Sequence, residues 1–261
     1  MPNPVLGRFH APQSLRQLTK GRGFNSELVG FLLPFARVNY FYYEDDFGSD
    51  TLDPVFWDLS VSAGGGPTTF AQPATPIEGG AIRGATGATD NDVASVRWAT
   101  AMFDARRNPG CEVRFRSDVV TGWSFELGFT DPLTDEALPA VTDVDTPATG
   151  NGATDLAVVH LDTDQTLTTM SFVTDGTTPV AAKTDIGTTA PVAATWMRVL
   201  VQAFSNAGYA IVDDNRGTDA RVATGPDGAV LMRPHFLFRT RNLTSKVVDI
   251  DYIRVWTERP A

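Results

Sequence analysis

The sequence predicts an all-β chain, namely an antiparallel β-sandwich at residues 44–261 preceded by an extended N-terminal arm at residues 1–43. Short apolar runs alternate with polar residues at period two and recur at a spacing of roughly 8–15 residues. The 261 residues include 23 glycines and 17 prolines, which favour turns between strands. No helical period extends beyond about ten residues, so helices have little support.

The clearest strand is the last one, residues 246–256. Val248, Ile250 and Val255 alternate there with polar side chains, as in a half-buried strand. The alternation shifts around Tyr252, which predicts either a β-bulge or burial on both faces. We expect this strand to pair with strands from much earlier in the chain.

The earlier strands follow the same rules of alternation and turn punctuation. Gly64-Gly65-Gly66-Pro67 is a turn and not a phosphate loop, because no Lys-Ser/Thr and no helix follow it. The predicted strands are residues 44–47, 57–61, 81–92 (running into a polar turn), 93–103, 111–119, 123–129, 156–161, 166–174, 179–185, 196–204, 209–213 and 231–241.

Two of the connections predict hairpins. Residues 111–119 and 123–129 both alternate cleanly and are separated by a short polar link, so we expect them to be neighbours. Residues 196–204 and 209–213 flank Ser-Asn-Ala-Gly, where Gly208 can supply a positive φ. By contrast, residues 131–155 form a long connection rich in Asp, Thr, Pro and Gly, and connections of that length are usually functional or mobile.

Charge is distributed unevenly along the chain. The net charge is −10 and the pI about 4.7, which argues against nucleic acid or an anionic membrane surface as the main partner. Residues 1–43 carry five basic residues and one acidic residue, whereas the remainder carries sixteen basic and thirty acidic residues. A basic arm on an acidic body therefore predicts that the arm has a role of its own.

The second half of the arm, residues 26–43, is densely apolar and aromatic. Such a surface seldom faces water on a monomer, so it packs either on its own sandwich or on another subunit. In the second case it docks and becomes ordered on that subunit. The predicted partner-binding residues of the arm are Phe31, Leu32, Phe35, Arg37, Tyr40 and Tyr42.

The single cysteine, Cys111, rules out an intrachain disulfide and fits assembly in a reducing cytoplasm. We expect Cys111 to be buried and without chemistry. Residues 1–25 are polar and broken by prolines, so they predict no signal peptide. The apolar run 28–35 is too short to span a bilayer.

Several motifs resemble those of concanavalin A-like (laminin-G-like) jelly-roll modules. They are the opening Asp46-Phe47, the pair Gly84-x-x-Gly87 and the closing Asp251-Tyr252-Ile253-Arg254-Val255. The resemblance covers residues 44–257 and implies a jelly-roll sandwich. The same family includes legume lectins and glycan hydrolases, so it leaves the function open.

The hydrolases of that family carry a Glu-x-Asp-x-x-Glu strand, whose alternate residues place a nucleophile and a general acid on one face. No such spacing occurs here. The most similar strand, 123–129, has only Glu126 between aromatic residues, while Asp249 and Asp251 belong to the closing strand of the fold. We therefore predict no catalytic residues and no enzyme.

The acidic pairs and turns do not form a recognisable metal site. Asp143-x-Asp145, Asp162-x-Asp164 and the turns at 90–92 and 213–215 do not match the spacing of an EF-hand loop. The histidines show no zinc spacing, and His160 reads as a core residue. We predict no cofactor, with a structural Ca²⁺ left open.

Aromatic side chains that could stack on a glycan are assigned mostly to the core. Trp98, Trp123, Trp196 and Trp256 all fall on predicted strands, and only Trp57 is ambiguous.

Jelly-roll modules without catalytic acids but with an apolar arm and no leader resemble the minor structural proteins that decorate tailed-bacteriophage capsids. The resemblance implies a virion protein that is assembled in the host cytoplasm and forms homo-oligomers. The arm would anchor it to the major capsid protein or to its own copies, and the acidic sandwich would face outward and adhere to glycans. The alternatives are a lectin-like carbohydrate-binding module and a degenerate glycan hydrolase that depends on Glu126.

Overall fold

The structure is a computed structural model, and the part of it described here comprises residues 40–47, 53–61, 69–73, 77, 80–133, 139–141, 152–164, 170–176, 182–186, 191–212, 219–222 and 224–258. The chain divides into two units, residues 1–41 with 258–261 and residues 42–257. The second unit holds the sandwich. Four of the predicted arm contacts, Phe31, Leu32, Phe35 and Arg37, lie outside the described residues.

The described residues are nearly all β, as predicted. They form sixteen strands and one short 3-10 helix, Ala105–Arg107. The strands are β1 (Tyr40–Asp45), β2 (Trp57–Val61), β3 (Thr69–Ala71), β4 (Ile82–Ala85), β5 (Val93–Trp98), β6 (Phe103–Asp104), β7 (Gly110–Ser117), β8 (Trp123–Thr130), β9 (Leu156–Asp162), β10 (Met170–Asp175), β11 (Ala182–Ile186), β12 (Met197–Phe204), β13 (Ala207–Val212), β14 (Asp219–Val222), β15 (Leu231–Thr240) and β16 (Val247–Glu258).

The strands make two eight-stranded antiparallel sheets. Sheet A has the order β14-β13-β12-β7-β16-β4-β3, and β1 pairs with β16. Sheet B has the order β11-β10-β9-β8-β15-β5-β2, and β6 pairs with β15. The prediction of an antiparallel sandwich is therefore confirmed.

Aromatic side chains fill the space between the sheets. Phe115 of sheet A meets Phe125 and Phe236 of sheet B, with ring centroids 5.1 and 5.3 Å apart. Trp123 packs on Phe125 and Phe238 at 5.3 and 5.2 Å. Because the apolar residues of β7, β8 and β15 alternate with polar ones, each strand directs one row of side chains into this core.

The predicted hairpin between residues 111–119 and 123–129 is wrong. β7 pairs with β12 and β16 in sheet A, whereas β8 pairs with β9 and β15 in sheet B. The link 118–122 crosses from one sheet to the other, so the two alternating patterns face each other across the core. The second predicted hairpin is confirmed by the pairing of β12 with β13, but the positive φ belongs to Asn206, at 59°, and not to Gly208.

The closing strand has the predicted irregularity. Its pairing with β7 shifts register between Ile250 and Tyr252, which leaves Asp251 as the extra residue of a bulge. Beyond the bulge, Arg254 lies opposite Glu112 of β7, on the face of sheet A turned away from the core.

A buried polar network joins β1, β7 and β16 on that face. Arg254 Nη1 donates to Glu112 Oε1 at 3.0 Å and Nε donates to Glu44 Oε1 at 2.9 Å. The Tyr252 hydroxyl donates to Glu112 Oε1 at 2.6 Å, and the Tyr42 hydroxyl donates to Glu44 Oε2 at 2.8 Å. The Arg254 guanidinium also lies 3.9 Å from the centroid of the Tyr252 ring. Each buried charge thus has an opposite charge or a hydrogen-bond partner, as burial requires.

Tyr42 therefore has an internal role in addition to the one predicted for it. It lies in β1, its hydroxyl is bonded within the sandwich, and burial raises its pKa. Tyr40 begins the same strand. The domain boundary at residue 44 and the partner-binding role of the arm stay predictions.

We expect Glu112→Gln to lower the free energy of unfolding by about 3 kcal/mol, because it removes one charge of a buried ion pair. The matched control is Asp251→Asn, since the side chain of Asp251 is 17% exposed and its partner Arg114 is 36% exposed. This pair is partly exposed, so its contribution should be close to the value of about 0–1 kcal/mol for surface pairs, and the variant should unfold almost like the parent in urea. Equal losses in the two variants would contradict the importance of the network.

Candidate functional site

Three ionisable side chains converge on the outer face of sheet B, the face turned away from the core. Glu126 of β8 lies opposite His160 of β9. His235 of β15 lies opposite Gly128, two residues further along β8. The side chains of Glu126, His160 and His235 are nevertheless buried, with residue exposures of 1%, 2% and 3%. Their burial on an outer face means that another part of the chain covers them.

The alternation of β8 explains why Glu126 points outward. Phe125 and Leu127, its neighbours in sequence, are buried in the core between the sheets, so Glu126 must face the other way. The sequence therefore indicates the face of Glu126 correctly. It does not indicate that another segment of the chain covers Glu126 on this face.

Residues 139–141 cover the side chain of Glu126 on this face. The backbone N–H of Ala140 donates to Glu126 Oε2 at 2.7 Å, and that of Val141 donates to Glu126 Oε1 at 2.9 Å. The Ala140 carbonyl accepts from Gly152 N–H at 2.7 Å, which links this segment to the residues that lead into β9. Both oxygens of the carboxylate are thus bonded to backbone amides.

A small apolar cluster supports the same segment. Ala140 and Val141 are fully buried beside side chains from the start of β9 and from β10. The only signal in the sequence was the apolar run Ala-Leu-Pro-Ala-Val at 137–141 within a polar connection. The other members of the cluster are Leu133, Ala153, Leu156, Val158 and Val173.

His235 flanks the carboxylate without forming a short hydrogen bond to it, and His160 lies opposite Glu126 on β9. His235 Nε2 lies 3.7 Å from Glu126 Oε2, which is an ion-pair distance but too long for a hydrogen bond. Within the part of the chain that the structure describes, neither ring nitrogen of His235 has a hydrogen-bond partner. Burial lowers the pKa of His160, so its imidazole is neutral at neutral pH. His160 is buried, as predicted, but it lies on the outer face of sheet B and not in the core between the sheets.

The charge state of Glu126 follows from its neighbours. Burial alone would raise the pKa of the carboxyl group, but the pKa is lowered on balance by His235, by His160 and by the N–H of Val141. The closed site thus contains a carboxylate held by amides and imidazoles.

A second polar group lies beside the first on β8, β9 and β15. Arg239 donates from Nη2 to Asp162 Oδ2 at 3.0 Å and from Nε to Ser124 Oγ at 2.9 Å. Arg241 donates from Nε to Asp162 Oδ1 at 3.1 Å. Because both oxygens of Asp162 are engaged by guanidinium groups, Asp162 is not placed to act as a second acid beside Glu126.

Glu126 and Asp162 are not arranged as a pair of acids in the way that glycoside hydrolysis requires. That reaction uses two carboxyl groups that flank a bound sugar, one of them able to release or accept a proton. Glu126 is sealed under residues 139–141, and Asp162 is paired with two arginines. The geometry therefore serves to hold the chain segment in place and presents no open cleft at Glu126.

The described residues also contain no group of three or more His, Cys, Asp or Glu that could hold a metal ion. Of the acidic sites named from the sequence, Asp92 accepts from the N–H of Thr89 at 3.0 Å, as a turn residue does. Asp162 Oδ1 likewise accepts from the N–H of Asp164 at 3.1 Å. Asp143, Asp145 and residues 213–215 lie outside the described residues.

The tryptophans are distributed almost as predicted. Trp98, Trp123 and Trp256 are buried, and so is Trp57, whose place was ambiguous. Trp196 is the exception, since it is half-buried just before β12. The guanidinium groups of Arg114 and Arg116 lie 4.9 and 4.7 Å from the centroid of its ring, on the outer side of sheet A.

No protein-family model matches the chain, and no curated protein matches it. Solved structures do match it. The Emp47p carbohydrate recognition domain is 14% identical with a TM-score of 0.55, and the match covers 84% of this chain and 95% of that one. A Bacillus licheniformis β-glucanase is 13% identical with a TM-score of 0.53, covering 85% and 99%. The Ca²⁺-bound exoplasmic/lumenal domain of VIP36 is 12% identical with a TM-score of 0.50, covering 79% and 85%.

At these identities the similarity shows the fold alone. The neighbours are concanavalin A-like jelly-roll folds of lectins and glucanases, which confirms the predicted fold class. Because both binding proteins and enzymes share this fold, it decides neither role for this chain. Among the described residues, no helix is long and apolar enough to cross a membrane.

Cys111 provides a test of how tightly the sandwich is packed. The thiol is free and buried in β7, and burial raises its pKa. We expect an aromatic disulfide reagent to label the native protein at least about a hundredfold more slowly than the protein in urea, because only the exposed thiolate reacts. Rapid labelling of the native protein, followed by absorbance, would contradict this packing.

Proposed function

We propose that this chain is a non-catalytic structural module of a tailed-bacteriophage particle, attached through residues 1–43 with its sandwich facing outward. The observation that carries the non-catalytic part is the closure of Glu126. Both of its oxygens accept backbone N–H bonds from residues 139–141, and the neighbouring acid Asp162 is paired with arginines. A hydrolase built on Glu126 would need that carboxyl group free to meet a substrate.

The role in a particle is supported by the distribution of charge and apolar residues. Residues 1–43 are basic and aromatic-rich, whereas the rest of the chain is strongly acidic. Such an arm can bury apolar area on an acidic partner, at about 25 cal/mol per Å² before the cost of ordering it. The proposed partners are the major capsid protein and further copies of this chain, assembled in the host cytoplasm.

Glycan binding is the second candidate, and the comparisons favour it at the level of the fold. A carbohydrate recognition domain and a glucanase have the same fold as this chain. Trp196 is the one tryptophan of the five that is not buried, and it lies beside Arg114 and Arg116. A structural Ca²⁺ also stays a proposal; VIP36 has a Ca²⁺-bound form, and no metal site occurs among the described residues.

Truncation tests the arm. We expect full-length protein to be oligomeric by light scattering and residues 40–261 to be monomeric, because the truncation removes four of the six predicted contacts, namely Phe31, Leu32, Phe35 and Arg37. The truncation begins at residue 40 in order to keep β1, since Tyr42 and Glu44 belong to the buried network. Two monomers of equal solubility, or incorporation of the truncated protein into particles, would contradict the proposal.

A glycan array on full-length protein tests the second candidate. If a glycan binds, Trp196→Ala should weaken it by about tenfold, which corresponds to about 1.4 kcal/mol. The control is Leu243→Ala, which removes an apolar side chain that is 78% exposed. If both variants bind the glycan as tightly as the parent, the glycan does not bind at Trp196.

A further inference from the structure

We propose that Glu126, with the imidazoles of His160 and His235 beside it, is an acid-sensitive latch that holds residues 139–141 on sheet B. Acidification would release this segment and uncover the carboxylate of Glu126. The inference is independent of any role in a virus particle. It rests on the way a single carboxylate, with two imidazoles nearby, accepts hydrogen bonds from two successive backbone amides of a loop segment.

The fastening depends on the charge of Glu126. Hydrogen bonds to an ionised acceptor are about twice as strong as neutral ones, and here two N–H groups, of Ala140 and Val141, share one carboxylate at 2.7 and 2.9 Å. Among the described residues, this segment makes one further backbone hydrogen bond, from Gly152 N–H to the Ala140 carbonyl. Loss of the charge on Glu126 therefore weakens the main polar attachment of residues 139–141.

The charged and titratable groups around Glu126 come from three strands. β9 contributes His160 and Asp162, and β15 contributes His235 and Arg239. β5 contributes Arg97, which lies opposite His235. Both oxygens of Asp162 accept hydrogen bonds from Arg239 and Arg241. A proton on buried His160 would therefore be attracted mainly by Glu126 and repelled by Arg239 and Arg241.

The pKa values of His160 and Glu126 are both lowered in the closed form. Burial lowers the pKa of His160 below its ordinary 6.5, and the pKa of Glu126 is below its ordinary 4.5 despite burial. The closed form thus binds fewer protons than an open form in which both groups are solvated. Closure is favoured above pH 6.5, weakens as the pH falls through the His160 range, and weakens again as the pH falls below 4.5.

His235 lies beside Glu126, with its Nε2 3.7 Å from Oε2 of the carboxylate. Its ring nitrogens have no hydrogen-bond partner among the described residues, so water reaching the site on opening would satisfy them. The imidazole therefore favours the open form once the segment begins to move.

Amide hydrogen exchange, followed by NMR on the full chain, tests the latch. We expect the protection factors of the Ala140 and Val141 amides to fall at least about tenfold between pH 7.5 and pH 5.0, since each proton taken up changes the opening equilibrium by up to about tenfold per pH unit. The amide of Leu237, in the middle of β15, reports global unfolding and should keep its protection. Unchanged protection at residues 140 and 141, or an equal loss at Leu237, would overturn the proposal.

Two variants separate the groups. His160→Gln stays neutral at every pH and should reduce the fall in protection to less than about threefold; a fall as large as in the parent would overturn the role of His160. Glu126→Gln removes the carboxylate charge, so residues 140 and 141 should already have lost about tenfold in protection at pH 7.5. Parent-like protection in that variant would show that the apolar cluster alone holds the segment.

Discussion

The sandwich depends on the pairing of β16 with strands from much earlier in the chain. β16 lies between β7 and β4 in sheet A, so its backbone completes the hydrogen bonding of both. The guanidinium group of Arg254 in β16 also forms ion pairs with Glu112 of β7 and Glu44 of β1. Sheet A is therefore incomplete until the end of the chain has arrived, and contacts of such long sequence separation are typical of slowly folding β-proteins.

Both sheets carry buried charges on their outer faces, and each group is closed by a different part of the chain. On sheet A, β1 brings Tyr42 and Glu44 to the network of Arg254. On sheet B, residues 139–141 cover Glu126. In each case the charges are paired or bonded to amides, as burial in a medium of low dielectric constant demands. The outer faces thus contribute to the organisation of the fold as well as to its surface.

The closure of sheet B bears directly on function. Lectin and glucanase domains share this fold, so the fold permits both binding and catalysis. In this chain the carboxylate of Glu126 accepts the backbone hydrogen bonds that hold residues 139–141. The half-buried Trp196 with its two arginines, and the basic arm of residues 1–43, are separate features that bear on binding and assembly.

Local sequence pattern was sufficient for the fold class and for most strands. The alternation in residues 123–129, 231–241 and 246–256 assigned side chains to the correct faces, and the irregularity at Tyr252 indicated the bulge. The absence of a Glu-x-Asp-x-x-Glu strand was also visible in the sequence. These properties depend on the two-residue period of a strand, which is a local property of the chain.

Only the tertiary structure decided which strands are neighbours and which outer faces are closed. β7 and β8 alternate in the same way, yet they belong to different sheets, because alternation shows that a strand faces a core without showing which partner it has. Likewise, Glu126 alternates as a solvent-facing residue and is buried by residues 139–141, which come 13 to 15 positions later in the chain. Pairing and coverage are contacts between distant segments, and a pattern of period two carries no information about them.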